Sequence, residues 1–426
     1  MKRSFAFQPQ PTSDRFAVPD TPSPGAARRC QASQRTLVAA ERPVSLRARW
    51  ALRRTRRSSD CSNVGLAMKK ALALLLPSAV AGWLLRGQIA VAVTKKALPK
   101  RISADPVAAL PDGLHIAICG SGSPIPDEQR GNPCTAVIVN QKIYMIDAGE
   151  QASETFNRMQ LRPDQIQAVL LTHFHSDHIG GLGSVTLQRW VANAAKTKLR
   201  VLGPVGVDRV VNGYNEAYAL DNSYRTAHHG EAIAPSATAG MVAEPFEFDA
   251  GQTSKVVLED GGLVITAFEV DHSPATPAVG YRFDYKGRSI VVSGDTVYTK
   301  TLVDAAQGAD LLVHDALSAD LLKLVEDASR AAGFENRAQI LVDVIDYHAT
   351  PGQAADAATD ANVGALAMTH VIPPLPIKAL EGPYLGDAKE RFTGPLWIAA
   401  DGDLYSLPVG GRTVERSSLF ASGPLA

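Results

Sequence analysis

Three histidines and an aspartate fall within six positions of the run Thr172-His173-Phe174-His175-Ser176-Asp177-His178-Ile179-Gly180-Gly181. Imidazole nitrogens and carboxylate oxygens suit a divalent cation such as Zn²⁺. This HxHxDH spacing follows the apolar strand Val169-Leu170-Leu171 and enters a glycine-bearing turn, where alternate side chains can converge on one point. Four residues do not complete two metal sites, so further ligands are expected downstream, each at a strand end. Asp271-His272-Ser273, Ser293-Gly294-Asp295-Thr296 and Met368-Thr369-His370 each follow an apolar run, in that order. A histidine or aspartate in such a place commonly caps a helix or sits in a solvated loop, but three in the required order point to a metal centre.

These residues need a frame that brings distant strand ends together. From Pro106 to about Gly410 the pattern predicts one α/β body. Strands are expected over 114–119, 135–139, 142–146, 168–171, 201–202, 264–270, 279–285 and 289–292, and helical spacing recurs over 152–159, 184–196, 207–220, 319–331 and 351–361. No repeat of 20 to 50 residues stands out, which excludes solenoids and propellers. The expected organisation is a disordered basic segment 1–67, a signal or single-pass anchor 68–93, a linker 94–107, a hydrolase domain 108–410 and a loose tail 411–426.

The chain of 426 residues has 43 basic and 43 acidic side chains, but residues 1–67 hold 13 bases against four acids, leaving 30 bases against 39 acids in the remainder. The head is rich in proline and arginine and has no sustained periodicity, a composition that does not repay the entropy of ordering. Met68-Lys69-Lys70 and the apolar stretches 71–85 and 89–93 have the grammar of a secretory signal or an uncleaved anchor. The basic flank would keep the N-terminus cytoplasmic. The body is therefore expected on the periplasmic side of the membrane or secreted, with the cytoplasm as the alternative. Cys119 and Cys134, on either side of a turn-rich loop, suit a disulfide across a hairpin or a pair of buried thiols.

The motifs resemble those of the metallo-β-lactamase superfamily, and their spacing is similar to its ribonuclease Z-like branch, which includes bacterial metal-dependent arylsulfatases. Gly120-Ser121-Gly122-Ser123-Pro124 and Ile146-Asp147-Ala148-Gly149 resemble the first strands of that branch, and the similarity spans about residues 112–405. The resemblance implies an αββα sandwich with a dinuclear metal site at one edge. It implies that His173, His175 and His272 hold one zinc, that Asp177, His178 and His370 hold the other, and that Asp295 bridges them. Asp147 would support the histidine loop rather than bind metal.

Two divalent cations roughly 3.5 to 4 Å apart would lower the pKa of a shared water toward about 7, and Asp177 could orient that water as well as ligate. Displacement at phosphorus or sulfur also needs a proton for the leaving oxygen, and His348 is the candidate. Its segment resembles the branch's second histidine loop, with Ala349 in place of serine. Leu312-Val313-His314-Asp315-Ala316-Leu317 resembles the branch's His-Glu-Ala-Thr loop, so that Asp315 would orient His348. Arg225 and His229, in the insert before His272, are expected to bind an anionic ester.

The segment between His272 and Asp295 bears on the substrate. Ribonuclease Z enzymes that process transfer RNA usually carry a basic arm between the positions equivalent to His272 and Asp295, and here only a short connection intervenes. With an acidic body as well, the expectation is a small-molecule ester hydrolase, arylsulfatase-like or acting on phosphate diesters, with no nucleic-acid partner. A membrane contact through the N-terminal segment and a homodimer complete the expectation. A ribonuclease Z-type tRNA-processing enzyme is the first alternative and a lactonase the second.

Overall fold

The computed structural model describes residue 83 and residues 85–420. The expectation for 1–67 and most of that for 68–93 therefore lie outside the described residues. Residues 85–102 are helical and largely exposed, so the expected linker begins as a continuation of this helix. Among the described residues no helix is long and apolar enough to cross a membrane.

Among the described residues, fifteen strands form two sheets. The first holds β1 (Gly113–Gly120), β2 (Cys134–Val139), β3 (Lys142–Ile146), β4 (Ile166–Leu170), β5 (Leu199–Pro204), β6 (Met241–Phe246), β14 (Asp403–Pro408) and β15 (Glu415–Ser418), in the order β15-β14-β1-β2-β3-β4-β5-β6. The second holds β7 (Ser254–Asp260), β8 (Leu263–Glu269), β9 (Val279–Tyr285), β10 (Arg288–Val292), β11 (Leu311–Leu317), β12 (Leu366–Ile372) and β13 (Leu396–Ile398), in the order β13-β12-β11-β10-β9-β8-β7. Each sheet has a parallel half, β3 to β6 and β10 to β13.

Side-chain alternation along the strands builds the layers. Ile116 and Ile118 of β1 and Ile290 and Val292 of β10 point into one apolar cluster shared by the two sheets. The intervening Ala117 and Cys119 face outward onto helices Ala152–Arg158 and Leu182–Ala192. Val291 faces the other way, onto helices Lys300–Ala306 and Pro351–Asp360. Both faces of both sheets are thus covered, which is the expected αββα sandwich. Central strands such as β1 and β10 are buried along their whole length, as sheets covered on both faces require.

The structure departs from the sequence reading at the margins. Residues 415–418, expected to be loose tail, pair with β14 as an edge strand. Its residues Glu415-Arg416-Ser417-Ser418 are polar and exposed, a composition that suits a sheet edge and gives no apolar alternation to detect. The helix Val207–His229 runs nine residues beyond its expected end. Cys119 and Cys134 form a disulfide joining β1 to β2, with Cα atoms 4.9 Å apart.

Lys142 and Tyr144 of β3 cross from the first sheet to Asp260 of the second, with contacts of 2.7 Å and 2.5 Å to its carboxylate. The Lys142 bond and then the Tyr144 bond hold this carboxyl below its ordinary range, against the opposing effect of burial. A lowered folded-state pKa gives stability that is present above the unfolded value of about 3.9 and is lost as pH falls through the folded one. Asp260→Asn should therefore unfold at lower urea than wild type at pH 7, and the difference should shrink at pH 3. An equal difference at both pH values would remove the ion pair as its source.

Candidate metal centre

All the residues picked out by spacing arrive at one edge of the sandwich, because each follows or ends a strand whose C-terminus points there. His173 and His175 lie in the loop after β4, and Asp177 and His178 in the short helix Ser176–Ile179 that follows. Asp147 comes directly after β3, His272 after β8 and Asp295 after β10, while Asp315 and His370 sit toward the ends of β11 and β12. Asp147 and His370 have positive φ, 56° and 49°. Left-handed backbone at non-glycine residues persists where surrounding contacts enforce it. The β11–β12 register shifts beside His370, between Asp315 and Ala316.

Close backbone approach holds the loops together. The Ala148 and Gly181 amides bond in opposite senses between the two loops, Ala148 N–H to the His178 carbonyl and Gly181 N–H to the Ala148 carbonyl, both at 2.8 Å. A side chain on Gly181 would meet the Gly149 carbonyl oxygen at 2.1 Å, so only glycine fits. Asp147 accepts from the Thr172 amide and hydroxyl, both at 2.8 Å, and contacts His178 Nδ1 at 2.8 Å. This carboxylate fixes the loop and turns His178 Nε2 toward the centre.

The donor atoms form overlapping groups. His173, His175 and His272 make one, Asp177, His178 and His370 another, and Asp295 joins His173 with His178 and also His272 with His348, each group lying within 4.8 Å. Oδ2 of Asp295 is 3.1 Å from Nε2 of both His178 and His370 and 3.9 Å from Nε2 of both His173 and His272. His175 Nδ1 is 3.0 Å from His173 Nε2 and 3.2 Å from His272 Nε2. Tetrahedral bonds of about 2.0–2.1 Å place ligand atoms about 3.3 Å apart. The spacing of these donors fits a divalent cation, and one carboxylate lies between two sets of imidazoles.

The charges fit as well. Burial pushes the His173, His175 and His272 imidazoles down, which keeps them neutral and free to donate electron pairs. Burial acts the same way on His178, but the carboxylates of Asp295, Asp177 and Asp147 override it and hold that imidazole well above its usual range. His370 is raised against burial by Asp295 and Asp177. Asp295 is held well below the carboxylate range despite burial by His178 and His370. A cluster of this kind balances buried negative charge with protons that a cation can displace.

His348 stands beside this cluster. Its ring centroid is 5.1 Å from that of His272 and 5.0 Å from that of His370, and its Nδ1 is 3.0 Å from Asp315 Oδ2. The expected His348–Asp315 pair is therefore formed. Arg225 and His229 are not brought to the centre. They lie in the last turns of helix Val207–His229, whose start packs near Phe174. At about 1.5 Å per residue that helix carries its far end roughly 30 Å away. Arg225 instead pairs with Asp221 at 2.7 Å, and the His229 ring meets His228. Residues near the metal cluster had suggested an anion pocket in the insert, but the helix runs on and takes them off.

The structure shows other residues that spacing missed. A cavity of about 250 Å³ borders Asp177 and Ser176 and is lined by Ser123, Asp127, Arg130 and Asn132. The Arg130 side chain is 9% exposed, its Nε has no hydrogen-bond partner among the described residues, and the Asp127 carboxylate is 3.8 Å away. The polar turn Arg130-Gly131-Asn132-Pro133 just before β2 was the available signal.

The sequence profile of the beta-lactamase superfamily domain matches residues 143–371. A ribonuclease Z from Mycobacterium bovis (strain BCG / Pasteur 1173P2) is 35% identical over 290 residues, 68% of this chain and 96% of its own length. This chain belongs to the metallo-β-lactamase superfamily, in its ribonuclease Z-like branch. A ribonuclease Z from Mycolicibacterium gilvum (strain PYR-GCK) is 36% identical over 264 residues, 62% of this chain and 85% of its own length. The fold is also that of the metallo-beta-lactamase fold protein YhfI from Bacillus subtilis, with a TM-score of 0.50, 17% identity, and coverage of 69% of this chain and 100% of that one. The superfamily makes the chain a hydrolase whose clustered histidines and aspartates can hold a divalent metal.

These relatives overturn the expected small-ester, arylsulfatase-like activity and the expected lack of a nucleic-acid partner. Relatives called ribonuclease Z match this chain over nearly their whole length, so the short connection between His272 and Asp295 does not set the chain apart from them. The whole-chain charge was equally uninformative, since it averages over surface far from the site. One consequence of the geometry is testable on the metal alone. Asp147→Asn should weaken metal affinity by about 10- to 100-fold, as loss of a group that orients a ligating histidine typically does. Retention of wild-type metal content after dialysis against a graded chelator would show that Thr172 and His178 hold their places without it.

Proposed function

We propose that this chain is a ribonuclease Z-type endoribonuclease that hydrolyses a phosphodiester near the 3′ end of precursor tRNA, with two zinc ions as cofactor. The observation that carries the reading is the match to ribonuclease Z relatives across 96% of their length at 35% identity. The His348–Asp315 pair beside the donor cluster supports it, because that pair has a task in phosphodiester cleavage. His173, His175 and His272 would hold one ion and Asp177, His178 and His370 the other, with Asp295 shared. Bound there, the ions supply Lewis-acid activation of a water and stabilise charge on the phosphoryl oxygens.

The chain's own residues do the rest. Asp177 has a second carboxylate oxygen that can accept a proton from the attacking water and fix its direction. His348 holds a proton for the leaving oxygen. Asp315 accepts a hydrogen bond from His348 Nδ1, which leaves Nε2 as the atom facing the leaving oxygen and fixes the ring's orientation. The cavity along Ser123, Arg130 and Asp177 offers room and a buried positive charge for the chain beside the scissile bond. A tRNA precursor as substrate would favour the cytoplasm, the alternative to the expected periplasmic or secreted location. The Cys119–Cys134 bridge favours an oxidising compartment instead. Alkylating thiols in intact cells decides between them, since labelled Cys119 and Cys134 mark the cytoplasm.

The zinc-loaded full chain should release the 3′ trailer from a precursor tRNA; cleavage of an aryl phosphodiester with no cleavage of the precursor would sink the reading. Asp295→Ala should fold but fail to hold two ions, and two ions per chain by mass spectrometry under native conditions would remove it as the shared ligand. His348→Ala should keep both ions and slow turnover by about 10² to 10⁴, with the greatest loss for poor leaving groups. Equal slowing for good and poor leaving groups would take the proton-donor role from it.

A further inference from the structure

Beyond the centre itself, a single buried carboxylate controls the loop that faces it. Asp401 lies in the turn between β13 and β14 and is 8% exposed. Its Oδ1 accepts from both the amide and the hydroxyl of Ser121, each at 2.9 Å, and its Oδ2 accepts from the Gly131 amide at 2.8 Å. Ser121 and Gly131 are the two ends of the loop that follows β1. The Gly122 amide also donates to the Gly131 carbonyl at 2.8 Å, and Asn132 Nδ2 donates to the Ser123 carbonyl at 2.8 Å. These bonds close a loop in which Arg130 stands next to one anchored end.

The platform beneath Asp401 is itself fixed. The Gly402 amide donates to the Ile118 carbonyl of β1 at 2.8 Å. Asp403 Oδ2 accepts from the Ala400 amide at 2.8 Å and from Arg416 Nη2 at 2.7 Å. On the other side, the Ser121 carbonyl accepts from the amide of Val371, the residue after His370, at 3.0 Å. The loop is thus tied at one end to the strand that carries His370, and the Asp401 carboxylate grips both of its ends.

Arg130 gives this anchoring a use. Its side chain is only 9% exposed, with an unpartnered Nε and a 3.8 Å contact to Asp127. It lines the cavity that continues to Ser176 and Asp177. A buried guanidinium can act on an anion only from a fixed place, because positional error of about 1 Å is enough to lose a preorganised contact. We propose that Asp401 is a positioning residue for RNA binding, holding the 121–131 loop so that Arg130 faces the cavity beside the metal centre. The substrate in this proposal rests on the ribonuclease reading above; the anchoring rests on the hydrogen bonds alone.

Asp401→Asn keeps the side chain's size, but whichever way its amide turns, one loop end meets a donor where it had an acceptor. In the zinc-loaded full chain this should raise KM for precursor tRNA about tenfold. Metal content, kcat on the precursor and kcat/KM for bis(p-nitrophenyl) phosphate should be unchanged. Trypsin should cut the Arg130–Gly131 bond in the variant and spare it in the wild-type chain. Ser121→Ala, which removes one of the three bonds, should raise KM less and in the same direction, and it carries the test if Asp401→Asn does not fold. An unchanged KM, or equal losses on the precursor and the small diester, overturns the proposal. A wild-type chain that cleaves the diester but not the precursor overturns the ribonuclease reading and the RNA role with it. The trypsin comparison then still upholds or overturns the anchoring.

Discussion

Three carboxylates buried among histidines at one edge of the sandwich constrain everything around them. Asp147, Asp177 and Asp295 are each less than a tenth exposed, and removing an unpaired charge from water costs several kcal/mol even after relaxation. Contacts with His178 and His370 offset part of that charge, and a bound cation would offset it more directly. The cost is tolerable only if every partner stands at contact distance, which flexible segments do not achieve. The partners are accordingly placed at strand ends and on a one-turn helix, with backbone hydrogen bonds between the loops that carry them.

The sandwich supplies that rigidity through its two parallel halves. β3 and β4 deliver Asp147 and the histidine loop from the first sheet, while β10, β11 and β12 deliver Asp295, Asp315 and His370 from the second. The shared apolar cluster between the sheets fixes how far apart these two contributions stand. The site therefore depends on packing many residues away from it, such as Tyr281 against the first sheet, where its hydroxyl donates to the Leu171 carbonyl at 2.7 Å. Loss of that inter-sheet spacing would move one set of ligands relative to the other without touching either.

The ligands were legible because the chemistry needs rare residue types at strand ends, and both features leave marks in a sequence. HxHxDH after Val169-Leu170-Leu171 is such a mark, and His272, Asp295 and His370 repeat it singly. Strands 142–146 and 279–285 were legible to the residue, as short apolar runs bounded by turn residues. Asp401 was not, because one aspartate before a glycine looks like any turn, and its partners Ser121 and Gly131 are some 270 to 280 positions away. Arg225 and His229 misled for the opposite reason: closeness in sequence to the histidine cluster says little when a long helix lies between.

Net charge misled in a similar way. Electrostatic attraction of a polyanion depends on the potential at the place where it binds, and a neutral or acidic total is compatible with a strongly positive recess. Here the recess contains a buried guanidinium at Arg130 and, once cations are bound, the largest local charges in the molecule. The recess also holds the carboxylates of Asp127, Glu150 and Asp177, while exposed charges farther away than a Debye length of about 8 Å at physiological salt are largely screened. Under the proposed ribonuclease reading, phosphodiester recognition would depend on how firmly that cationic side chain and the metal ligands are held in relation to each other, which makes the hydrogen bonds beneath the loop as relevant to binding as any surface charge.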